Sequence, residues 1–507
     1  MTMEADSRSL AGEAPIAAEL ASNQKAMTEA FSNSADLIVQ RWRFGALPGQ
    51  EVLAVYLDTL VDSKLIARLQ EQEAFQHLLL HRIAEYEDRD EVERAPSRPM
   101  PDEAPLWQAG TIVGTIRASV GAVLDGKTVI FLQHQTRAFT FDTMDVEQRH
   151  TSEPITEPSV QGPQRSMIED LERNIGMLRN LLKSPRLRFD YRIAGKESRR
   201  KIAFGYLEGA VQPDILEAFL CRVKGIEQEE IVDTSYLEAC VGGDRTTPFP
   251  QVRYTERPDT AVLALLDGKI IALVHGSPTV LICPVHFLEF FTSSEDYYCR
   301  PVFSSLIRML RMAGFLIAFM LPSSYIALSA FHSELVPTVL LLAILKSREG
   351  IPFPALLEAL IMEFFFELLR EAGLRLPRPV GSAVSIVGAL VIGQAAIQSQ
   401  IASPVMVIVV ALTGIASFAF PQYNMAIAVR LLRFPLMLLA ATFGGLGIMT
   451  GLLLVYLHLS SLRSLGQPYL SPLAPLQSGR LRRMFLSIAG PRQAKASSAP
   501  KGGRGGR

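Results

Sequence analysis

Between Asp36 and Leu57 apolar residues come in short runs rich in β-branched side chains, the pattern of strands: Asp36–Arg43, then Val52–Leu57. An amphipathic helix is predicted from about Ser63 to Glu85. Residues 86–105 are charged and Pro-bearing and read as a linker. The pattern then repeats. Val52–Asp58, continuing to Val61 and Leu65, matches Ile202–Glu208, continuing to Val211 and Ile215. Ala122–Ile130 matches Ala264–Ala272, each with Asp-Gly-Lys at its centre (Asp125 and Asp267). Asp-Gly between apolar runs predicts a β-hairpin, because such a turn needs positive φ. The echoes keep their order, about 150 and 142 residues apart, so two related α/β domains are predicted. Ser166–Lys183 carries a helical stripe of apolar residues (Met167, Ile168, Leu171, Ile175, Leu178 and Leu182), with Arg165 and Arg173 on its solvated face, and reads as a helix linking the domains.

After Tyr298 the pattern lengthens. Met312–Phe331, Val380–Ile397, Ala402–Phe420 and Phe434–Leu459 are apolar runs of about 18 residues or more. A bilayer core takes about 20 helical residues, so these are read as four spans. Leu335–Leu369 is interrupted by Lys346–Gly350 and by Pro352 and Pro354, and is read as a re-entrant or half-membrane element. The predicted fold class is therefore α/β plus an α-helical membrane domain of four to six segments. Its parts are a disordered tail (1–35), a first α/β domain (36–157), a linker helix (158–189), a second α/β domain (190–300), a membrane domain (301–465) and a basic tail (466–507).

Composition sharpens that division. Of 507 residues 49% are hydrophobic, and the mean hydropathy is +0.21. The formal charge of −1 conceals a split: Glu371 is the last acidic residue and 13 Lys/Arg follow it, leaving −14 before and +13 after. The first thirty residues lack the basic start and apolar core of a signal peptide, which puts the α/β domains in the cytoplasm. The basic tail then argues for a cytoplasmic C-terminus, although Arg375, Arg378, Arg430 and Arg433 fit a four-span count poorly. Cys221, Cys240, Cys283 and Cys299 have no metal-finger spacing and read as free thiols. His77 and His81, one turn apart, lack a third ligand nearby.

No P-loop, GxSxG, HExxH or GxGxxG occurs in a suitable context, so no enzyme and no cofactor is expected. The candidate chemistry lies in the apolar half. Glu363, Glu367 and Glu371 recur at i, i+4, i+8 on one helix face. Ionisable groups at membrane depth point to an ion path, and around an oligomer axis they would form acidic rings. The alternative is an interfacial helix with Glu367 paired to Arg370. Gln394 and Gln398 line a polar path or hydrogen-bond between helices. Gly447 and Gly451 form a GxxxG packing motif. Arg430 and Arg433, and the tail residues Arg480, Arg482 and Arg483, are read as contacts to lipid headgroups rather than nucleic acid.

Several strings resemble the A subunits of the GerA spore germination family. They include Pro248-Phe249-Pro250-Gln251, Thr255–Asp259, Gly276-Ser277-Pro278, Ser294–Tyr298 and Ser347–Pro354. The densest is Arg370–Gly381 with Ser385–Ala396, and the last are Arg430–Pro435 and Pro468–Pro475. The likeness covers roughly 160–475. It departs after Gly162-Pro163, where Gln164-Arg165-Ser166-Met167 replaces the family's usual helix start. The resemblance implies a multi-pass protein of the spore inner membrane acting with a transporter-like B subunit and a lipoprotein C subunit. It also implies a homo-oligomeric monovalent-cation channel. A non-conducting scaffold between separate sensor and channel is the alternative.

Overall fold

The computed structural model describes residues 14–43, 51–71, 111–144, 154, 157, 161–243, 246–376, 378–479 and 481. The chain divides into two compact units. One comprises Met1–Ser159, Pro163–Gly243 and Val252–Pro284; the other comprises Val160–Gly162, Asp244–Gln251 and Val285–Arg507.

The first unit holds two copies of one arrangement. The first copy runs α1 (Leu20–Ala30), β1 (Leu37–Arg43), β2 (Glu51–Leu57), α2 (Ser63–Glu71), β3 (Thr111–Val113), α3 (Ile116–Leu124), β4 (Lys127–Leu132) and β5 (Ala138–Asp142). Its sheet has the order β1-β2-β4-β5-β3, with every pairing antiparallel. The side chains of β2 are buried from Val52 to Leu57 because both faces of the sheet are covered. Leu53, Val55 and Leu57 pack with α1 and α3, while Val52, Ala54 and Tyr56 pack with Ile66 and Leu69 of α2. A strand covered on both faces reads as a continuous apolar run rather than an alternation.

The second copy runs α4 (Leu171–Leu181), β6 (Leu187–Ala194), β7 (Arg200–Leu207) and α5 (Pro213–Val223), followed by α6 (Thr234–Val241). It continues with β8 (Arg253–Thr255), α7 (Pro258–Leu266), β9 (Ile270–Val274) and β10 (Val280–Cys283). The order β6-β7-β9-β10-β8 repeats the first sheet. Leu171, Ile175 and Leu178 of α4 and Ala261 and Leu265 of α7 cover one face, and Phe219 of α5 meets Phe204 edge-on at 5.1 Å on the other.

Three expectations change here. The described part of the predicted disordered tail contains α1, whose Leu20 and Met27, with Ile16 and Phe31 beside it, are core residues. Its polar composition hides a narrow buried face. The predicted linker helix is α4, the opening element of the second copy as α1 is of the first. Its turn of entry matches too. Asn23 Oδ1 accepts Ala17 N–H (2.9 Å) while Nδ2 donates to Ala17 O (2.7 Å). Asn174 does the same with Ile168, at 2.9 and 2.6 Å. Finally, Asp125-Gly126 and Asp267-Gly268 are helix-to-strand turns, not β-hairpins. Asp125 and Asp267 end α3 and α7, and the glycines take φ of 79° and 77°. A glycine in the left-handed region just past a helix frees the chain to turn.

The two copies meet at a buried cluster. Ala35 N–H donates to Phe189 O (2.9 Å), and Phe189 N–H donates to Ser34 Oγ (2.9 Å). Arg179 and Asp36, both fully buried, form a two-bond ion pair at 2.9 and 2.8 Å, and Arg179 Nη2 also donates to Ser34 Oγ. The sequence placed Arg165 and Arg173 on a solvated face but assigned no role to Arg179. At the β6–β7 turn the exposed Glu230 carboxylate accepts the backbone N–H groups of Lys196, Glu197 and Ser198 (2.8–3.1 Å). Those bonds favour the charged form and hold its pKa down, at about 2. All four cysteines are free.

The second unit is helical: α8 (Pro301–Ala330), α9 (Thr338–Ser347), α10 (Ala355–Arg375), α11 (Arg378–Gln398), α12 (Pro404–Ser417), α13 (Tyr423–Phe443) and α14 (Gly445–Ser461). Among the described residues two of these, α8 and α13, are long and apolar enough to cross a membrane. The interrupted segment breaks as predicted, with Gly350 (φ 87°) between α9 and α10, but α10 runs on past Leu369 to Arg375. The predicted span Phe434–Leu459 is instead two helices that turn at Gly444 (φ 58°). Gly447 and Gly451 then lie against Leu439 and Leu436, where an added Cβ would collide, so the GxxxG packs within this hairpin. Residues 466–470, at the start of the segment read as the basic tail, are packed in place. Tyr469 is fully buried and its hydroxyl donates to Pro250 O (2.7 Å). Arg480, Arg482 and Arg483, like His77, His81 and the 86–105 linker, lie outside the described residues.

Candidate functional site

In the helical unit the sequence spaces four carboxylates along α10, at Glu358, Glu363, Glu367 and Glu371. The fold meets each with an arginine. Glu358 is fully buried: Arg348 lies 3.0 Å from its Oε1, and its Oε2 accepts the N–H of Ser403 (2.9 Å), which caps α12. Glu363, 7% exposed, is ion-paired with Arg433 of α13, which is 2% exposed. Glu367 accepts from Arg430 of α13 (2.7 Å) on one oxygen and from Arg370 (3.0 Å) on the other. Arg370 also donates to Ser417 Oγ of α12 (3.2 Å) and stands over the Phe418 ring. Glu371 pairs with Arg375 at the exposed end of the helix (2.9 Å).

Two of the proposed roles are altered. Arg430 and Arg433 do not face outward to headgroups: both are buried and spent on α10 carboxylates. The spacing Arg-x-x-Arg places both on the α13 face turned to α10, and a buried carboxylate costs less when a cation is beside it than when it stands alone. Glu367 does pair with Arg370, as the interfacial alternative had it, but it binds Arg430 as well. Glu363, Glu367 and Glu371 thus form one row, whereas Gln394 and Gln398 are exposed on α11 and are not part of it. Sequence reasoning missed the partners. Nothing in a one-dimensional pattern links Glu363 to an arginine 70 residues on. It also left out Glu358, whose isolated place in an apolar run was the available signal.

A second cluster anchors the start of α8. Asp296, 2% exposed, accepts from Arg308 Nε (2.8 Å) and Arg311 Nη1 (2.9 Å), and Ser304 Oγ donates to its backbone carbonyl (2.8 Å). Asp296 also closes a capping box with Ser293. Both clusters join helices by charge in an apolar setting, but only the α10–α13 row joins long helices side by side. Among the described residues no group of His, Cys, Asp and Glu is arranged to hold a metal ion.

A family model described as Bacillus/Clostridium GerA spore germination protein matches residues 25–498. Spore germination protein KA of Bacillus subtilis (strain 168) is 38% identical over 484 residues, covering 93% of this chain and 85% of the relative. Spore germination protein GerLA of Bacillus cereus is 40% identical over 356 residues, covering 70% and 72% respectively. Among solved structures, the N-terminal domain of the A subunit of the Bacillus megaterium spore germinant receptor GerK3 aligns with a TM-score of 0.40 at 19% identity. That alignment covers 54% of this chain and 98% of the other.

Proposed function

The chain belongs to the Bacillus/Clostridium GerA spore germination protein family, and we propose that it is the multi-pass membrane subunit of a nutrient germinant receptor in the spore inner membrane. Its α/β unit lies in the cytoplasm on this reading. It works with a transporter-like B subunit and a lipoprotein C subunit, and it carries out no enzymatic step. As a homo-oligomer it forms or gates a monovalent-cation channel that opens when a nutrient binds its partner.

One observation supports the gating role above others: the row of ion pairs between α10 and α13. With Glu363 and Glu367 held by Arg433 and Arg430, the carboxylates are neutralised and the two helices are tied, which describes a closed state. Separating the helices frees the acidic row to attract cations. The same pairs also suit a non-conducting scaffold, if they never part.

Planar-bilayer conductance of the reconstituted chain, alone and with its partner subunits, separates these readings. Glu363→Arg is expected to set like charges against each other and raise basal K⁺ current. Adding Arg433→Glu restores the pair in reverse and is expected to return the current towards wild type. No current from the correctly assembled chain alone, with currents of the whole complex that ignore both changes, favours the scaffold.

A further inference from the structure

The helical unit contains a cavity of about 290 Å³ bounded by Phe319 of α8, Leu436 and Leu439 of α13, Gly451 and Val455 of α14, and Phe249. Pro435, inside α13, and Gly451 of α14 both lie on its wall. The wall is otherwise apolar. Its one ionisable member, His458, is already hydrogen-bonded through Nε2 to Thr247 Oγ1 at 2.8 Å. Water in such a space finds too few partners, and an apolar cavity of about 150 Å³ stays dry and takes up benzene. This one is about twice that size.

The mouth identifies the occupant. Leu454 lines the cavity and is 56% exposed, and beside it on α14 Leu453 and Leu457 are also more than half exposed. The cavity wall is therefore continuous with an exposed leucine surface on α14. We propose that it is an acyl-chain site, in which one hydrocarbon tail of a neighbouring bilayer lipid inserts between α8, α13 and α14. The inference rests on the reading of the helical unit as membrane-embedded. The tail lies against Leu432, Pro435 and Leu439, the stretch of α13 that carries Arg433. Filling the site fixes the position of α13, and with it the arginine that holds Glu363.

The test reconstitutes the full chain in phosphatidylcholine/phosphatidylglycerol vesicles containing a trace of phospholipid with a diazirine near the end of one tail. After irradiation, adducts are mapped by mass spectrometry. Leu446 and Met449, 76% and 66% exposed on α14, report ordinary lipid contact. Adducts on Phe319, Leu439 and Val455 are expected to exceed theirs about tenfold, the ratio for a tail held about 1.4 kcal/mol more tightly than bulk lipid. Val455→Trp, or Leu439→Trp if the first does not fold, is expected to bring labelling of the remaining cavity residues down to the Leu446 level. Cavity labelling no higher than at Leu446 in the wild type, or unchanged in a folded filling variant, overturns the site but leaves the membrane reading standing. No adduct anywhere on α14 overturns both.

Discussion

The two α/β copies agree where the chain must cross a sheet and differ where it can leave one. From α1 to α4 the offset is 151 residues, from β1 to β6 it is 150, and from β3 to β8 it is 142. Strand order, the asparagine at the entry of the first helix and the glycine after the helix that leads into β4 or β9 are all duplicated. Even a left-handed backbone position recurs, as His134 in one copy and Gly276 in the other. Each amide there donates to the chain just before the first helix, at Ala18 and Glu169. The departures cluster at the contact between copies. Thr28 occupies the place of Arg179, and Arg186 that of Asp36, so the buried pair belongs to the joint and not to the repeat. The two copies share one strand order, and the buried charge pair that joins them occurs in neither frame by itself.

Arg179→Ala should have the largest effect. It strands Asp36 in a site with no solvent and should cost about 3–5 kcal/mol in denaturant unfolding of the detergent-solubilised chain. Thr28→Ala, at the equivalent place in the first copy, should cost well under half of that. Equal losses would mean that the joint is not distinct from the repeat.

The matched pair Asn23→Ala and Asn174→Ala should fall next. Each removes two hydrogen bonds and leaves a backbone N–H and C=O without them, about 1–3 kcal/mol by the same measurement. The copies are equivalent frames if the two losses agree, and a gap above about 1 kcal/mol would show one frame carrying more of the fold than the other.

The smallest effect concerns the β6–β7 turn of the second copy. The Glu230 pKa is depressed when folded, so its contribution is present above the ordinary glutamate value and fades as pH falls towards about 2. Glu230→Gln should therefore lower the melting temperature slightly at neutral pH, and the difference from wild type should shrink between about pH 4.5 and 2. A difference that does not change with pH would take the charge out of the explanation.

Much of the frame was legible because strands covered on both faces leave a continuous apolar signature, and β2 and β7 carry it twice. The first helix of each copy was not read as part of its domain, for opposite reasons. α1 buries only Leu20, Asn23 and Met27 within an otherwise polar stretch, so it looked disordered, while the stripe on α4 is clear but said nothing of which sheet it covers. The Asp-Gly turns gave the right backbone conformation and the wrong neighbours, since a helix end and a hairpin both require positive φ. In the helical unit the acidic row was visible by its four-residue spacing. Its partners were not, because Arg430 and Arg433 lie 63 and 70 residues away and an arginine near the end of an apolar run looks the same whether it meets lipid or a carboxylate.

On the membrane reading proposed above, the pairing of Glu363 with Arg433 bears on what can move the two helices. A lone charge carried through the field changes energy by about 2.3 kcal/mol for every 100 mV. A carboxylate and a guanidinium that move together sum to zero, so voltage does almost no work on them. Glu358 and Arg348 are matched in the same way. Helices tied by such pairs are insensitive to a membrane potential while the pairs hold.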